Sequence, residues 1–194
     1  MSNRKFERFS SLLHSVHPAS STMAVAAEPH QTGHSMDSAQ SIHRGYDHPM
    51  AITWALTFDC NAPADQAKFW KVALDYADAP PPPGFTSWTD WLIACDVPED
   101  EWDDGAVICD PTGEGPQISM LKVPEGKTAK NRIHLDLKVG LGRKQPAHLR
   151  RQRIEEKVGL LLSLGASELA RHYMNGELDH VVLADPEGNE FCVV

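Results

Sequence analysis

The chain has 194 residues, 41% of them hydrophobic and 23% charged, which suits one globular domain with a real core. A net charge of −9 argues against a nucleic-acid groove, which needs a basic face. No apolar run approaches the roughly 20 residues of a membrane helix, and four scattered cysteines without a CxxC pair favour a reducing, cytoplasmic compartment over a disulfide framework.

Residues 1–49 hold six of the ten histidines, many Ser and Ala, and few large apolar residues. No helical or strand period persists there, so a disordered N-terminal extension is expected. Arg4, Lys5 and Arg8 followed by Ala24–Ala27 imitate a secretory signal, but His14, His17 and Pro18 interrupt the apolar stretch that a signal requires. Met50 opens the ordered pattern and is a candidate start.

From residue 50 the chain reads as one pattern twice. Residues 52–60, "ITWALTFDC", alternate apolar and polar, placing Ile52, Trp54, Leu56, Phe58 and Cys60 on one face of a strand. In "NAPADQAKFWKVAL", Asn61 is the expected N-cap, Pro63 suits the first turn, and Ala67, Trp70 and Leu74 form a helical stripe. Residues 87–102 read as an inserted short helix and turn, capped by Ser87 and held to a sheet by Trp88 and Trp91. The acidic run at 96–104 reads as a solvated turn. Strands follow at 105–110 and 117–123, closing a first module at about residues 50–125.

The second module spans about residues 130–194. "NRIHLDLKV", 131–139, alternates with Ile133, Leu135, Leu137 and Val139 on its apolar side. A helix is expected from Pro146 to about Leu164, with Ile154, Val158 and Leu161 buried and Gly165 just past its end. Arg150, Arg151 and Arg153 read as its solvated side, and Lys127, Lys130 and Arg132 as a solvated linker before it. Strands are expected at about 167–173, 178–184 and 189–194. Asp185-Pro186-Glu187-Gly188 joins the last two as a type I turn.

The duplicated pattern, "RIHLDLKV" opening the second module and "VVLADPEGNEFCVV" closing it, resembles the vicinal oxygen chelate superfamily. Within it, the sequence looks most like glyoxalase-like domain proteins of the actinobacterial type, over about residues 50–194. The superfamily includes glyoxalase I, extradiol dioxygenases, epimerases, thiol transferases acting on fosfomycin, and metal-free bleomycin-binding proteins. The resemblance implies an α+β fold with two tandem βαβββ modules forming a curved mixed sheet around a cleft. It also implies a small-molecule ligand and a homodimer.

Metal-using members hold a divalent ion with His or Gln on the first strand of each module and Glu on the last. Aligning the two repeats sets Ala55 opposite His134 and Thr57 opposite Asp136. The usual last-strand glutamate position falls on Cys192, with Glu190 two residues earlier on the same face. The first module offers Gln117, Ser119 and Leu121, or else Ile118 and Met120, and no carboxylate. The implied metal set is therefore His134, Glu190 and Cys192. It would suit zinc through the imidazole and thiolate, or iron, manganese or nickel with carboxylates, or no metal at all.

If the apolar strand faces pack on helices, the polar faces line the cleft. Its expected residues are Thr53, Ala55, Thr57, Asp59, Ser119, Leu121 and Glu190. His134 is the candidate acid or base, with Asp136 or Asp59 to orient it, although the i, i+2 spacing leaves His134 and Asp136 about 7 Å apart. Two functions follow from the resemblance. One is an enzyme, a lyase, isomerase or dioxygenase acting on a small oxygenated metabolite. The other is a metal-free ligand-sequestering protein of the bleomycin-resistance type, whose acidic surface would suit a cationic drug.

Overall fold

A computed structural model describes residues 54–194. The expected disordered extension, its candidate start at Met50, and Ile52 and Thr53 lie outside the described residues. Strand β1 (Leu56–Cys60) leads into helix α1 (Pro63–Leu74), then β2 (Ala77–Asp78), helix α2 (Trp88–Ala94) and a 3₁₀ turn at Glu99–Asp104. Strands β3 (Gly105–Cys109) and β4 (Ile118–Lys122) complete the first module. The second runs β5 (Asp136–Leu137), α3 (Ala147–Ser163), β6 (Ser167–Met174), β7 (Glu177–Ala184) and β8 (Glu190–Val193).

Each module builds its own four-stranded mixed sheet, in the orders β1-β4-β3-β2 and β5-β8-β7-β6. In both, the first strand pairs in parallel with the last, and the remaining pairs are antiparallel. This is the expected α+β architecture of two βαβββ repeats. The strand that sequence periodicity missed is β2, two residues long and too short to show alternation.

Strand alternation explains the main core. Cys60, Ile118, Met120 and Ile108 of the first sheet pack with Ala67, Phe69, Trp70 and Ala73 of α1. Leu137, Val181, Leu183, Phe191 and Val193 of the second pack with Ile154, Val158 and Leu161 of α3, and all belong to one cluster. Trp70 joins the modules: its ring lies 5.1 Å from Phe58 and 5.1 Å from Phe191. Such aromatic pairs contribute about 0.5–1.5 kcal/mol each beyond the area they bury. Gly165 takes φ 99° just past α3, a left-handed position that a side chain would strain.

The expected cap of α1 is corrected. Its N-cap is Ala62, which offers no side-chain acceptor. Asn61 instead donates through Nδ2 to the Val123 carbonyl at 2.8 Å. The acceptor at the helix start is the Glu187 carboxylate, which takes the backbone N–H of Asn61 at 2.8 Å and of Ala62 at 2.9 Å. Glu187 belongs to the 185–188 turn, so the second module caps a helix of the first. Asp185 in the same turn is 2% exposed. It accepts from the backbone of Glu187 and Asn189, from Asn189 Nδ2, and from Trp70 Nε1 at 3.2 Å. A buried carboxylate needs such a set of donors.

Two apolar expectations also fail. Trp54 is 66% exposed and Ile133 is 79% exposed. Both sit where alternation in the sequence runs beyond the hydrogen-bonded ladder, since β1 begins at Leu56 and β5 at Asp136. Without a paired neighbour, the chain there does not present its side chains to the core.

Candidate functional site

The two sheets have equivalent second faces, and the described residues cover only one of them. On the first sheet, Val107 and Leu121 pack against Ala79, Trp91, Leu92 and Val97. Phe85, Trp88 and Trp102 close around this second cluster. Ser87 caps α2 by accepting the Asp90 N–H at 3.0 Å, as the sequence pattern predicts, and Trp88 and Trp91 meet edge to face. The insert thus takes space that the resemblance assigns to a cleft. Of the residues expected there, Leu121 and Ser119 are buried, while Ala55, Thr57 and Asp59 lie exposed beside them. Burial and the nearby Glu125 raise the Asp59 carboxyl above its ordinary value.

The corresponding residues of the second sheet come together differently. Parallel pairing sets Asp136 beside Cys192. His134 Nε2 lies 3.6 Å from Glu190, so its carboxylate neighbour is Glu190, where Asp136 or Asp59 was expected. Glu190 is held by the Lys130 ammonium, which with His134 and Lys127 keeps its carboxyl below the usual range. Lys130 is therefore not an idle linker residue. Cys192 is 8% exposed, and burial followed by the Asp136 charge pushes its thiol up.

This donor set does not fit a metal ion. The carboxylate already has a cation of the chain on it. Among the described residues, no three His, Cys, Asp or Glu side chains are arranged to hold a metal. The set His134, Glu190 and Cys192 is thus two neighbouring contacts and not a coordination sphere.

Beside it opens a cavity of about 1030 Å³. Asp136, Cys192 and His180 form its floor, on the face of the second sheet turned away from α3. The loop after β5 forms its wall with Lys138, Arg143 and Lys144, and Arg150 from the first turn of α3 completes it. Arg150 therefore does not lie on a solvated helix side: it donates to the Leu178 carbonyl at 3.2 Å and stands 3.6 Å from Asp179.

Asp179 and His180 are the residues that sequence reasoning missed. In a regular strand, neighbours point to opposite faces. Here His180 pairs with His172 and Leu178 pairs with Tyr173, leaving Asp179 as the extra residue of a bulge. A bulge re-aims side chains, and Asp179 Oδ2 comes within 3.0 Å of His180 Nδ1. Arg143 grips the same carboxylate with two bonds of 2.9 and 3.0 Å. The Arg143 bonds, then the His180 contact, hold the Asp179 carboxyl far below the ordinary range. The His172 ring stacks on His180 at 4.4 Å. An imidazole oriented at Nδ1 by a carboxylate presents Nε2 for proton transfer or hydrogen bonding. The only signal in the sequence was the Asp-His dipeptide, which alternation alone assigns to opposite faces.

The duplicated modules and the open polar face define a protein of the glyoxalase-like class. Residues 55–194 match the glyoxalase-like domain family, and the chain belongs to it. No curated protein matches the sequence. Among solved structures, the chain is similar to a possible glyoxalase from Bacillus cereus, at 10% identity and a TM-score of 0.47, covering 74% of this chain and 98% of that one. It is similar to a glyoxalase/bleomycin resistance protein/dioxygenase family enzyme from Burkholderia phytofirmans PsJN, at 11% identity and a TM-score of 0.46, covering 72% and 94%. It is also similar to the fosfomycin resistance protein FosX from Listeria monocytogenes, at 9% identity and a TM-score of 0.47, covering 74% and 89%.

Proposed function

We propose that this protein binds a small organic molecule, without a metal, in the cavity on the open face of the second sheet. The observation that carries this reading is the Lys130–Glu190 ion pair beside that cavity. It satisfies a carboxylate that a metal site would need free. At about 1030 Å³ the cavity sits at the upper limit of small-molecule sites, which run to about 1,000 Å³. Four cationic side chains on its wall against two carboxylates (Asp136 and Asp179) argue against the cationic drug that the overall acidity suggested.

Elemental analysis of untagged protein, with a melting curve before and after chelation, tests this. The expected result is less than a stoichiometric metal and an unchanged melting temperature. One equivalent of zinc, iron, manganese or nickel, lost in His134→Ala, would sink the reading.

An enzymatic reading has one specific support, the Asp179–His180 contact. His180 would take a proton from a carbon next to a carbonyl and return it, an isomerase-type step that needs no co-reactant. Proton NMR of pyruvate in D₂O would show methyl deuteration above the buffer rate. The rate should fall in His180→Gln and in Asp179→Asn. Equal rates with and without protein would remove this reading for 2-oxo acids.

A homodimer completes the proposal. Edge strand β6 exposes Leu169, Tyr173 and Met174 at 53%, 57% and 46%, more apolar surface than an edge strand ordinarily leaves bare. Light scattering should give twice the 21.4 kDa chain mass. A reducing compartment is part of the same reading, supported by four free cysteines. No helix among the described residues is long and apolar enough to cross a membrane.

A further inference from the structure

The cavity's charge contradicts the charge of the chain. The protein carries a net −9, yet Lys138, Arg143, Lys144 and Arg150 line this one pocket. Both guanidinium groups are already committed, since Arg143 and Arg150 share the Asp179 carboxylate. The two lysines make no ion pair among the described residues. Asp136, the other acid of the floor, lies beside Cys192 on the paired strand β8. Arg150 is the one lining residue from α3, a 17-residue helix whose N-cap, Pro146, has no side-chain cap and whose first turn carries no acid. The positive end of that helix dipole is therefore not neutralised by its own residues.

We infer that the pocket recognises a small organic anion, a carboxylate, phosphonate or phosphate monoester, through Lys138 and Lys144. This rests on the proposal that the cavity binds its ligand without a metal. Concentrating unpaired cations costs self-repulsion, and a bound anion relieves it. Arg143 is fixed by its two bonds to Asp179, so it contributes a stationary charge. Lys138 and Lys144 are the adjustable partners that close on the ligand. His180 supplies a ring nitrogen at the floor, suited to a hydrogen bond with a second oxygen of the same molecule.

Three probes of one shape test the inference: benzoate, phenylphosphonate and benzamide, titrated into chelated, isotope-labelled full-length protein and followed by backbone amide NMR. At least one anion should shift the resonances of residues 136–144 and 179–182 and bind about tenfold more tightly than benzamide, the effect of one net charge-assisted contact. Lys138→Ala/Lys144→Ala should reduce anion binding about tenfold and leave benzamide unchanged. Both lysines sit on the pocket wall outside the core, so the variant's amide spectrum should stay that of the folded protein. A preference for benzoate identifies a carboxylate ligand, and a preference for phenylphosphonate identifies a phosphonate or phosphate. Benzamide binding as tightly as both anions, no shift with either anion, or an unchanged double variant would overturn the inference. Benzamide binding by itself would leave the metal-free pocket intact. Binding of any probe only after a metal is added back would instead refute the reading on which this one rests.

Discussion

The two modules share a topology and differ in what lies on their second face. In the first, the insert brings Trp91, Leu92 and Val97 onto Val107 and Leu121, and the sheet is covered on both sides. In the second, β6 follows α3 after a short link, no insert exists, and Asp136, His180 and Cys192 stay open to a cavity. A repeat keeps its architecture because alternation and one helical stripe are enough to bury one face of each sheet. Nothing in that rule specifies the other face. One copy has made it a small core and the other leaves it lining a cavity.

The comparison breaks most directly at the residue that belongs to both modules. Trp70→Ala should lose about 3–5 kcal/mol, as large aromatic truncations in cores do. Urea unfolding of the native protein should be one transition, reported alike by probes in either module. Two separated transitions would mean that the modules do not share a core.

Trp91→Ala sharpens the contrast, because Trp91 serves only the covered face. The expected loss is about 3 kcal/mol, the low end for such truncations. Hydrogen exchange should accelerate across residues 79–109, while residues 136–144 keep their protection. If the second module loosened equally, the covered face would not be independent of the open one.

Asp179→Asn tests the open face and should cost about 1.5–3 kcal/mol near neutral pH, typical of hydrogen bonds to a charged group. The folded state lowers this carboxyl's pKa through Arg143 and His180. Its contribution is therefore complete above the unfolded-state value of about 3.9 and is lost as pH falls through the folded value. Stability curves of native protein and variant should converge on acidification below about pH 4. A gap that does not begin to narrow there would deny the ionic origin.

The smallest effect concerns thiols. Burial, aided by Glu187 and Asp59, pushes Cys60 up to about 12, and burial with Asp136 raises Cys192. At pH 8 neither should react with iodoacetamide in the folded protein, and both should react in urea, as mass spectrometry of the peptides would show. Rapid alkylation of Cys192 in the native state would restore it as a candidate nucleophile or ligand.

The sequence by itself determined the secondary structure that has a strong period. Helix α3 has the buried stripe, the boundary near Pro146 and the left-handed Gly165 that its residues predict. The closing hairpin and its 185–188 turn are equally direct, with the Gly188 N–H donating to the Asp185 carbonyl at 2.9 Å. These features are local, encoded within one or two turns of chain. The family resemblance is legible for the same reason, since it rests on those strands and that turn.

The site was decided by tertiary structure. Glu187 caps a helix 125 residues away, a contact between Ala62 and Glu187 that no local rule for N-caps contains. Lys130 and His134 meet Glu190 because β5 and β8 pair in parallel, with α3, β6 and β7 between them in the chain. Asp179 turns toward His180 only because the β6–β7 pairing slips by one residue, and a one-residue slip changes the face a side chain occupies. Alternation predicts which residues share a face within a strand. Which partner strand they meet, where the register breaks, and whether an insert covers the result depend on packing between segments far apart in the chain.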